Sequence, residues 1–262
     1  MQPRHSPGVS LLPHHQAHDP RALITRWRAV AKTAGLRVRV LTEQAGEKIL
    51  YLESPRDGSQ PFVYLSTGVH GDEPGSAWGL LSWAEREIEQ LRQRAFLIFP
   101  CMNPNGLRLN TRVDHRGLDI NRRFHLDDDE LCGPWRQIVQ QRQLSIGVCL
   151  HEDYDAQGCY VYELGHHRTR HSDLLMRDCT SRIAPDPRSS IDGRRAGQGI
   201  IRRSTIPPDL PGLPEAIVLW QLGCPVTLTF ETPSEFSLDD RVQTQADFVS
   251  AVLHHAVPNH QP

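Results

Sequence analysis

Short apolar runs alternate along this chain with longer segments whose apolar residues recur at helical spacing. The runs at residues 62–66, 95–100, 146–150 and 225–230 predict buried strands, and residues 74–92 carry an apolar face typical of a helix. Strands that alternate with helices favour a parallel arrangement with both faces of the sheet covered. The pattern therefore predicts an α/β fold with a mixed, mostly parallel central sheet and helices on both faces.

The remaining segments complete this single-domain prediction. Helices are also predicted at residues 19–34, 133–144, 169–182, 214–222 and 238–254, and strands at 36–41, 48–53 and 159–163. Residues 185–214 are dense in Pro, Gly and Arg and predict a long loop, and residues 103–106 predict a turn. Residues 1–18, rich in Pro and His, predict a poorly ordered arm before one domain at 19–256. The acidic run at 127–130 is expected to favour the N-terminal dipole of the helix that follows it.

Composition narrows the class of function. The chain has 262 residues, of which 38% are hydrophobic and 23% charged, and its formal net charge is −2. That balance favours neither nucleic acid nor a membrane surface as a partner. No apolar run approaches the roughly 20 residues that cross a bilayer, and no secretory signal is visible. The six cysteines lack a Cys-x-x-Cys pair, which predicts reduced, buried thiols and a cytoplasmic protein.

Candidate chemistry is concentrated at the ends of two predicted strands. His70 and Glu73 follow the strand at 62–66, and His151 follows the strand at 146–150. Because sites in open α/β sheets form at the carboxyl ends of strands, these side chains are expected to converge. Two imidazoles and one carboxylate form the three-ligand set of a catalytic zinc, with a fourth position left for water. The sequence therefore predicts one zinc ion held by His70, Glu73 and His151.

Four segments, in order, carry a resemblance to a known superfamily. They are residues 68–74 (GVHGDEP), residues 103–124 with NPNG, NTR and GLDINRRF, residues 150–152 (LHE) and residues 229–232 (TFET). Together they make the chain, over about residues 62–253, resemble the zinc metallocarboxypeptidase superfamily. That superfamily also contains murein peptide amidases and the deacylases aspartoacylase and succinylglutamate desuccinylase.

The resemblance implies a role for each matching residue. The implied ligands are His70, Glu73 and His151, the implied substrate-binding residues are Asn121 and Arg122, and the implied catalytic residues are Arg112 and Glu231. Glu231 would act as general base and then general acid. Arg112 would polarise the scissile carbonyl, and Arg122 would hold a substrate carboxylate with help from Asn121.

Departures from the superfamily pattern concern the substrate. The carboxypeptidases have a tyrosine in a loop that closes over substrate, and here no tyrosine follows Tyr162. After His151 the chain continues with Glu152, Asp153 and Asp155, where a carboxypeptidase usually has Ser and Tyr. With Asp72, this acidic group is hypothesised to favour a substrate that carries an amine.

Three functions follow from these observations. The first is a zinc hydrolase that cleaves an amide bond next to a free carboxylate in a small peptide, such as a murein fragment, by metal-activated water. The second keeps the metal and acts on an N-acyl amino acid, as aspartoacylase and succinylglutamate desuccinylase do. The third is a non-catalytic metal-binding or ligand-binding protein, against which Glu231 argues because such a protein needs no general base.

Overall fold

The chain folds around one sheet of eight strands. The computed structural model describes residues 16–55, 60–165, 170–208 and 210–257. The strands are β1 (Arg37–Gln44), β2 (Glu47–Glu53), β3 (Phe62–Ser66), β4 (Phe96–Phe99), β5 (Leu144–Asp153), β6 (Tyr160–Gly165), β7 (Ser190–Ile191), β8 (Arg194–Arg195), β9 (Ile200–Arg203) and β10 (Val226–Pro233). The helices are α1 (Pro20–Ala34), α2 (Pro74–Arg86), α3 (Ile88–Gln93), α4 (Pro104–Leu109), α5 (Cys132–Gln140), α6 (Ser172–Cys179), α7 (Glu215–Gln221) and α8 (Leu238–His255).

The large sheet is mixed and mostly parallel, as predicted. Its strand order is β1-β2-β4-β3-β5-β10-β6-β9, and β7 pairs with β8 in a separate hairpin. The pairs β4–β3, β3–β5, β5–β10 and β6–β9 are parallel, whereas β1–β2, β2–β4 and β10–β6 are antiparallel. The central strands therefore direct their carboxyl ends to the same edge of the sheet.

Both faces of this sheet are covered by helices. Side chains alternate across a strand, so that Val63 and Leu65 of β3 enter one hydrophobic cluster and Tyr64 enters another. The first cluster includes residues of α1, α2, α6 and α8, and the second includes residues of α5 and α7. The α/β prediction with helices on both faces is confirmed.

Several predicted boundaries change. Residues 74–92 form two helices, because the backbone of Glu87 leaves the helical region (φ −111°, ψ 40°) between α2 and α3. The predicted turn at 103–106 begins helix α4, and Asn103 Oδ1 caps it by accepting a hydrogen bond from the Gly106 N–H at 2.8 Å. The predicted loop at 185–214 contains β7, β8 and β9. These strands have two to four residues each, too short for a repeating pattern of polar and apolar positions to identify them.

The structure bears on only part of the predicted N-terminal arm, and on the membrane prediction only within the described residues. Residues 1–15 lie outside the described residues. Within 16–18, Ala17 is buried and accepts a hydrogen bond from Trp78 Nε1, and the His18 ring lies 2.9 Å from the Leu107 carbonyl oxygen. These last residues of the predicted arm therefore pack on the domain. In the described ranges, no helix combines the length and the hydropathy that a bilayer span needs.

Candidate metal centre and active-site cavity

The loop that carries His70 and Glu73 runs from the end of β3 to the start of α2. Glu73 occupies the N-cap position of α2, and Pro74 starts the helix. Gly71 lies between the two side chains against α4, where a Cβ would stand 1.9 Å from the Gly106 carbonyl carbon. Only glycine permits this approach of the two backbones, so the loop is held against α4 between the two candidate ligands.

His151 belongs to β5, which pairs directly with β3. The predicted strand at 146–150 extends to Asp153, so His151 lies inside the strand and not just after it. Its Nδ1 lies 2.9 Å from Glu73 Oε2, and His70 Nδ1 lies 2.5 Å from Glu73 Oε1. Residues that are 78 positions apart in the sequence thus meet at one carboxylate.

These three side chains fit a divalent metal ion. One ligand atom from each of His70, Glu73 and His151 can be chosen so that all lie within 4.8 Å of one another. All three residues are only 2% exposed, in a region where an unpaired carboxylate would be costly. Two ring nitrogens and a carboxylate are the protein donor set of a catalytic zinc site, which keeps a further position for water.

The electrostatics of the group are dominated by the Glu73 carboxylate. Burial alone raises the pKa of Glu73, but His70 and His151 outweigh it and hold that pKa well below its usual range. Burial lowers the pKa of His70, but Glu73 and Asp119 more than offset it and raise the pKa to about 9. A positive charge at this point is therefore favoured by the surroundings, whether a proton or a metal ion supplies it.

Asp119 also belongs to the site, and its separate role could not be assigned from the sequence. Its Oδ1 lies 3.2 Å from His70 Nε2, and its Oδ2 accepts a hydrogen bond from Arg112 Nε at 3.2 Å. Arg112 Nη1 in turn lies 3.6 Å from Glu73 Oε1. A carboxylate behind a ligating histidine fixes the ring orientation and leaves the opposite nitrogen for the metal. Asp119 therefore orients His70 and positions Arg112 beside the three-residue group.

Glu231 lies on β10, which is the neighbour of β5. In the parallel pairing of these strands Glu231 is directly opposite His151, and on its other side it is opposite Tyr160 of β6. Removal from bulk water raises the pKa of Glu231 well above its usual value; His151 opposes this shift and Glu73 adds to it. The pairing places a second carboxylate next to the candidate ligands.

Asn121 and Arg122 lie in a short 3-10 turn at Ile120–Arg122. The Asn121 Oδ1 accepts a hydrogen bond from the Glu215 backbone N–H at 3.0 Å, which fixes the orientation of its amide. Arg122 Nη1 donates to the Asn121 carbonyl oxygen at 3.0 Å. Among the described residues, no carboxylate forms an ion pair with Arg122, so its guanidinium can bind an anion that enters the cavity.

One cavity of about 510 Å³ connects these groups. Its lining contains all seven residues singled out in the sequence, which are His70, Glu73, Arg112, Asn121, Arg122, His151 and Glu231. The structure therefore brings the whole predicted set to one place at the carboxyl ends of the central strands.

Of the acidic residues that follow His151, Glu152 and Asp153 line the cavity, and both have hydrogen-bond donors of their own. Glu152 is 3% exposed, its Oε1 accepts from Arg241 Nη1 at 2.7 Å, and its Oε2 accepts from the Gly75 N–H at 2.7 Å. Asp153 Oδ2 accepts from Tyr160 OH at 3.0 Å. Because β5 continues through these positions, Glu152 packs inward beside α2 and α8, and its charge is already matched by Arg241.

Comparison with known proteins agrees with this geometry. A model of the succinylglutamate desuccinylase/aspartoacylase catalytic domain matches residues 59–147. Murein peptide amidase A of Escherichia coli K12 is 28% identical over 102 residues, which are 38% of this chain and 41% of the amidase, so the match spans less than half of that relative.

Solved structures cover much more of the chain. A Shewanella denitrificans protein assigned to the metallopeptidases superposes with a TM-score of 0.83 at 21% identity, over 98% of this chain and all (100%) of that one. A metallo-carboxypeptidase of Burkholderia cenocepacia gives 0.66 at 18% identity, over 88% of this chain and 67% of that one. The chain has the metallocarboxypeptidase fold. The resemblance expected from the sequence is thereby confirmed.

On this fold the cavity contains further side chains that the motifs did not indicate. Tyr160 and Tyr162 line it from β6, and they are the aromatic hydroxyl groups nearest to Glu231 in the strand pairing. Glu215 lines its base, where it accepts hydrogen bonds from Ser66 Oγ at 2.8 Å and from Tyr64 OH. The alternation Tyr160, Val161, Tyr162 in a predicted strand was the available signal for the tyrosines. No local signal distinguished Glu215.

Proposed function

We propose that this protein is a zinc-dependent hydrolase that cleaves an amide bond adjacent to a free carboxylate. The observation that carries this proposal is the buried group of His70, Glu73 and His151, with Glu231 opposite His151 on the next strand. A metal-binding protein would need the first three residues but would not need the fourth, which argues for catalysis over simple binding.

Each residue of the cavity has a definite task under this proposal. A bound zinc ion lowers the pKa of water and polarises a carbonyl group. Glu231 takes the proton from the attacking water and delivers it to the leaving amine. Arg112, positioned by Asp119, stabilises negative charge that develops on the carbonyl oxygen. Arg122 and Asn121 bind the free carboxylate and so place the amide bond between the metal centre and Glu231.

The preferred substrate class is a small peptide with a free carboxylate, including peptides with an unusual linkage such as murein fragments. The partial match to murein peptide amidase A supports this choice. The second candidate is deacylation of an N-acyl amino acid, which the match of residues 59–147 to the desuccinylase/aspartoacylase catalytic domain supports. Both reactions place a carboxylate next to the broken amide, so the same residues serve either.

A substrate screen with zinc-reconstituted protein tests the proposal. It compares C-terminally free peptides, γ-linked murein peptides and N-acyl amino acids, and it includes the variant Glu231→Gln with the exposed Glu235→Gln as its matched control. Glu231→Gln is expected to lower kcat by at least about 10²-fold and to leave zinc binding unchanged. Full activity of Glu231→Gln would refute the general-base role, and absence of bound zinc in purified wild-type protein, measured by elemental analysis, would refute the metal assignment.

A further inference from the structure

Helix α8 packs behind the two strands that carry His151 and Glu231. Gln245 of α8 is fully buried, and its amide nitrogen donates to both of these strands. Its Nε2 lies 2.6 Å from the His151 main-chain carbonyl oxygen and 2.9 Å from Thr232 Oγ1. Thr232 follows Glu231 in β10, and because side chains alternate across a strand it projects to the face that α8 covers. One amide therefore joins a candidate metal ligand to the strand of the candidate general base.

The sheet is narrow at this point, so the ends of the two strands depend on what lies behind them. β3 pairs with β5 only as far as Ser66 and Cys149, and beyond that row β10 is the one strand paired with β5 in the ranges that the structure describes. β10 in turn pairs with β6 only as far as Glu231 and Tyr160. Strand ends with few neighbours open more easily than central rows. The row of His151 therefore gains order from any further contact.

A second residue of α8 adds to this contact. Arg241 precedes Gln245 by about one helical turn, and its Nη1 donates to Glu152 Oε1 at 2.7 Å. Thr232 Oγ1 lies 3.4 Å from the same oxygen, and the Glu152 N–H donates to Glu73 Oε2 at 3.1 Å. The α8 network is defined by these side chains, Arg241, Gln245, Glu152 and Thr232. It extends from the helix across both strands to the carboxylate of a candidate ligand.

Two glycines of α2 allow α8 to approach this closely. A Cβ on Gly79 would stand 2.4 Å from Gln245 Cβ, and a Cβ on Gly75 would stand 3.1 Å from Arg241 Cβ. Helix α2 begins directly after Glu73, which is its N-cap residue. The helix that starts at one candidate ligand is thus packed against the helix that holds the strand of another.

The Gln245 side chain carries an energetic penalty of its own. Its Oε1 is buried and has no hydrogen-bond partner among the described residues. The reverse orientation of the amide would place this oxygen against the His151 carbonyl oxygen, where two acceptors would repel. An unpaired buried acceptor lowers stability, and an apolar side chain of similar length would not bring one. Stability alone therefore does not account for an amide at this position, whereas a need for donors to the two strands does.

We propose that Gln245 is a positioning residue for the metal centre, which acts through the main chain of His151. This inference rests on the proposed hydrolase function. Ligand side chains have to be held within about 0.5 Å of their working positions, and an imidazole ring follows any shift of the main chain that carries it. By joining the ends of β5 and β10, Gln245 keeps the His151 ring beside Glu73 and the Glu231 carboxylate beside His151.

The variant Gln245→Met tests the proposal, because methionine has nearly the same length and lacks the donors. The unpaired Oε1 disappears together with the amide, so the Tm is expected to change by less than about 4 °C. Zinc affinity, measured by competition with a chelator, is expected to fall at least about tenfold. The visible absorption spectrum of the cobalt-substituted protein is expected to change as well, because it depends on ligand geometry.

Thr244→Val is the matched control. Thr244 precedes Gln245 in α8, is equally buried, and has a hydroxyl group without a partner in the described part of the chain. The variant removes a buried polar group from the same helix and no hydrogen bond to either strand. Its zinc affinity and cobalt spectrum are expected to match those of wild type. An equal loss in Thr244→Val and Gln245→Met would show that disturbed packing of α8 causes the effect and would overturn the proposal.

Thr232→Val tests the other contact of the same amide with almost no change in side-chain shape. It is expected to lower zinc affinity by a smaller factor of about threefold, since the donor to His151 remains. Combined with Gln245→Met it is expected to add no further loss, because residues of one network are not independent. Two losses that simply multiply in the double variant would contradict a common action on His151.

Hydrogen exchange of the metal-free proteins separates failure of this inference from failure of the proposed function. Exchange in residues 150–154 is expected to be at least about tenfold faster in Gln245→Met than in wild type, with β4 unchanged. If exchange is faster but wild-type protein binds no zinc, Gln245 holds the strand ends and the proposed metal function fails. If exchange is unchanged, or if it is faster while zinc affinity stays at the wild-type value, Gln245 does not position His151 and the inference is wrong.

Discussion

At the scale of single residues, Glu152 shows how burial changes the meaning of a charge. Its carboxylate is enclosed by Arg241, the Gly75 N–H and Thr232, with Thr232 Oγ1 at 3.4 Å. Burial raises the pKa of Glu152 to about 7, although Arg241 and the Gly75 N–H act in the opposite direction. The backbone N–H of Glu152 donates a hydrogen bond to Glu73 Oε2 at 3.1 Å. Glu152 therefore supports the strand that carries His151 and the start of α2.

We expect Glu152→Gln to lower the free energy of unfolding by about 2 kcal/mol, because it removes a charged acceptor from buried donors. The preference between amine-bearing and neutral substrates is expected to stay as in wild type. Urea unfolding and paired kinetic assays measure the two effects, with the exposed Asp155→Asn as the control that leaves stability unchanged. A changed substrate preference at wild-type stability would restore the original hypothesis of an acidic rim.

The local sequence predicted which residues belong to the site better than it predicted the contacts among them. His70, Glu73, His151 and Glu231 could be singled out because each stands beside a strand-like apolar run in a motif of fixed order. Asp119 could not be assigned its role, since its contact with His70 spans 49 positions and depends on how the loop folds back. Contacts of this kind are properties of the tertiary structure and leave no periodic signal in the chain.

At the scale of elements, the start of α5 depends on one carboxylate. Asp129 Oδ1 accepts from the N–H groups of Leu131 and Cys132, both at 3.0 Å, and its Oδ2 accepts from Arg116 and Arg123. The expected support of a helix N-terminus by the acidic run at 127–130 is confirmed at this residue. Burial raises the pKa of Asp129, but these hydrogen bonds and guanidinium groups outweigh it and hold the pKa well below its usual range.

A depressed carboxylate pKa stabilises the folded protein above the unfolded-state pKa of about 4, and this contribution is lost as the pH falls toward the folded-state value. We expect Asp129→Asn to lower the free energy of unfolding by about 2 kcal/mol at pH 7. The difference from wild type is expected to shrink as the pH falls below about 4. Urea unfolding across this range measures it, with the exposed Asp128→Asn as control. A difference that does not depend on pH would contradict the assignment.

Gly71 connects two elements whose sequences gave no sign of contact. An added Cβ would lie 1.9 Å from the Gly106 carbonyl carbon and 2.2 Å from the Leu107 nitrogen, so the loop and α4 would have to separate. We expect Gly71→Ala to lower stability by about 3 kcal/mol and to weaken zinc binding, because His70 and Glu73 flank it. Thermal unfolding and zinc titration measure both effects. Gly197→Ala, whose Cβ would meet nothing within 4 Å, is the control.

The presence of long elements was predictable, although several of their boundaries were not, and the short strands were not predictable at all. The apolar faces of α2 and α8 and the runs of β3 and β10 repeat over enough residues to be recognised. The strand β9 is stabilised by pairing with the distant strand β6, as Arg203 pairs with Leu164, and the two-residue strands β7 and β8 pair with each other. For this reason the sequence did not show that Arg194 and Arg203, in the predicted loop, would line the cavity.

At the scale of the whole molecule, the candidate metal centre joins parts of the chain that are distant in sequence. His70 and Glu73 precede α2, and His151 belongs to β5. A ligand that binds only the folded state stabilises it by about 2.7 kcal/mol at a hundred times its Kd. For a domain of this size that corresponds to a Tm increase of about 5–10 °C.

We therefore expect zinc to raise the Tm of the wild-type protein by that amount and a chelator to reverse the change. His151→Ala is expected to abolish the increase. Scanning calorimetry with and without zinc measures it, and His254→Ala, on the last turn of α8, is the control. An equal increase in His151→Ala would place the stabilising ion elsewhere.

The direct pairing of β5 with β10 has one more consequence. Glu231 and His151 are held side by side by main-chain hydrogen bonds, which do not depend on the identity of either side chain. Residues around the cavity can therefore differ while the spacing between Glu231 and His151 stays constant. Constant main-chain pairing combined with variable cavity-lining side chains explains how one fold accommodates peptidases, amidases and deacylases.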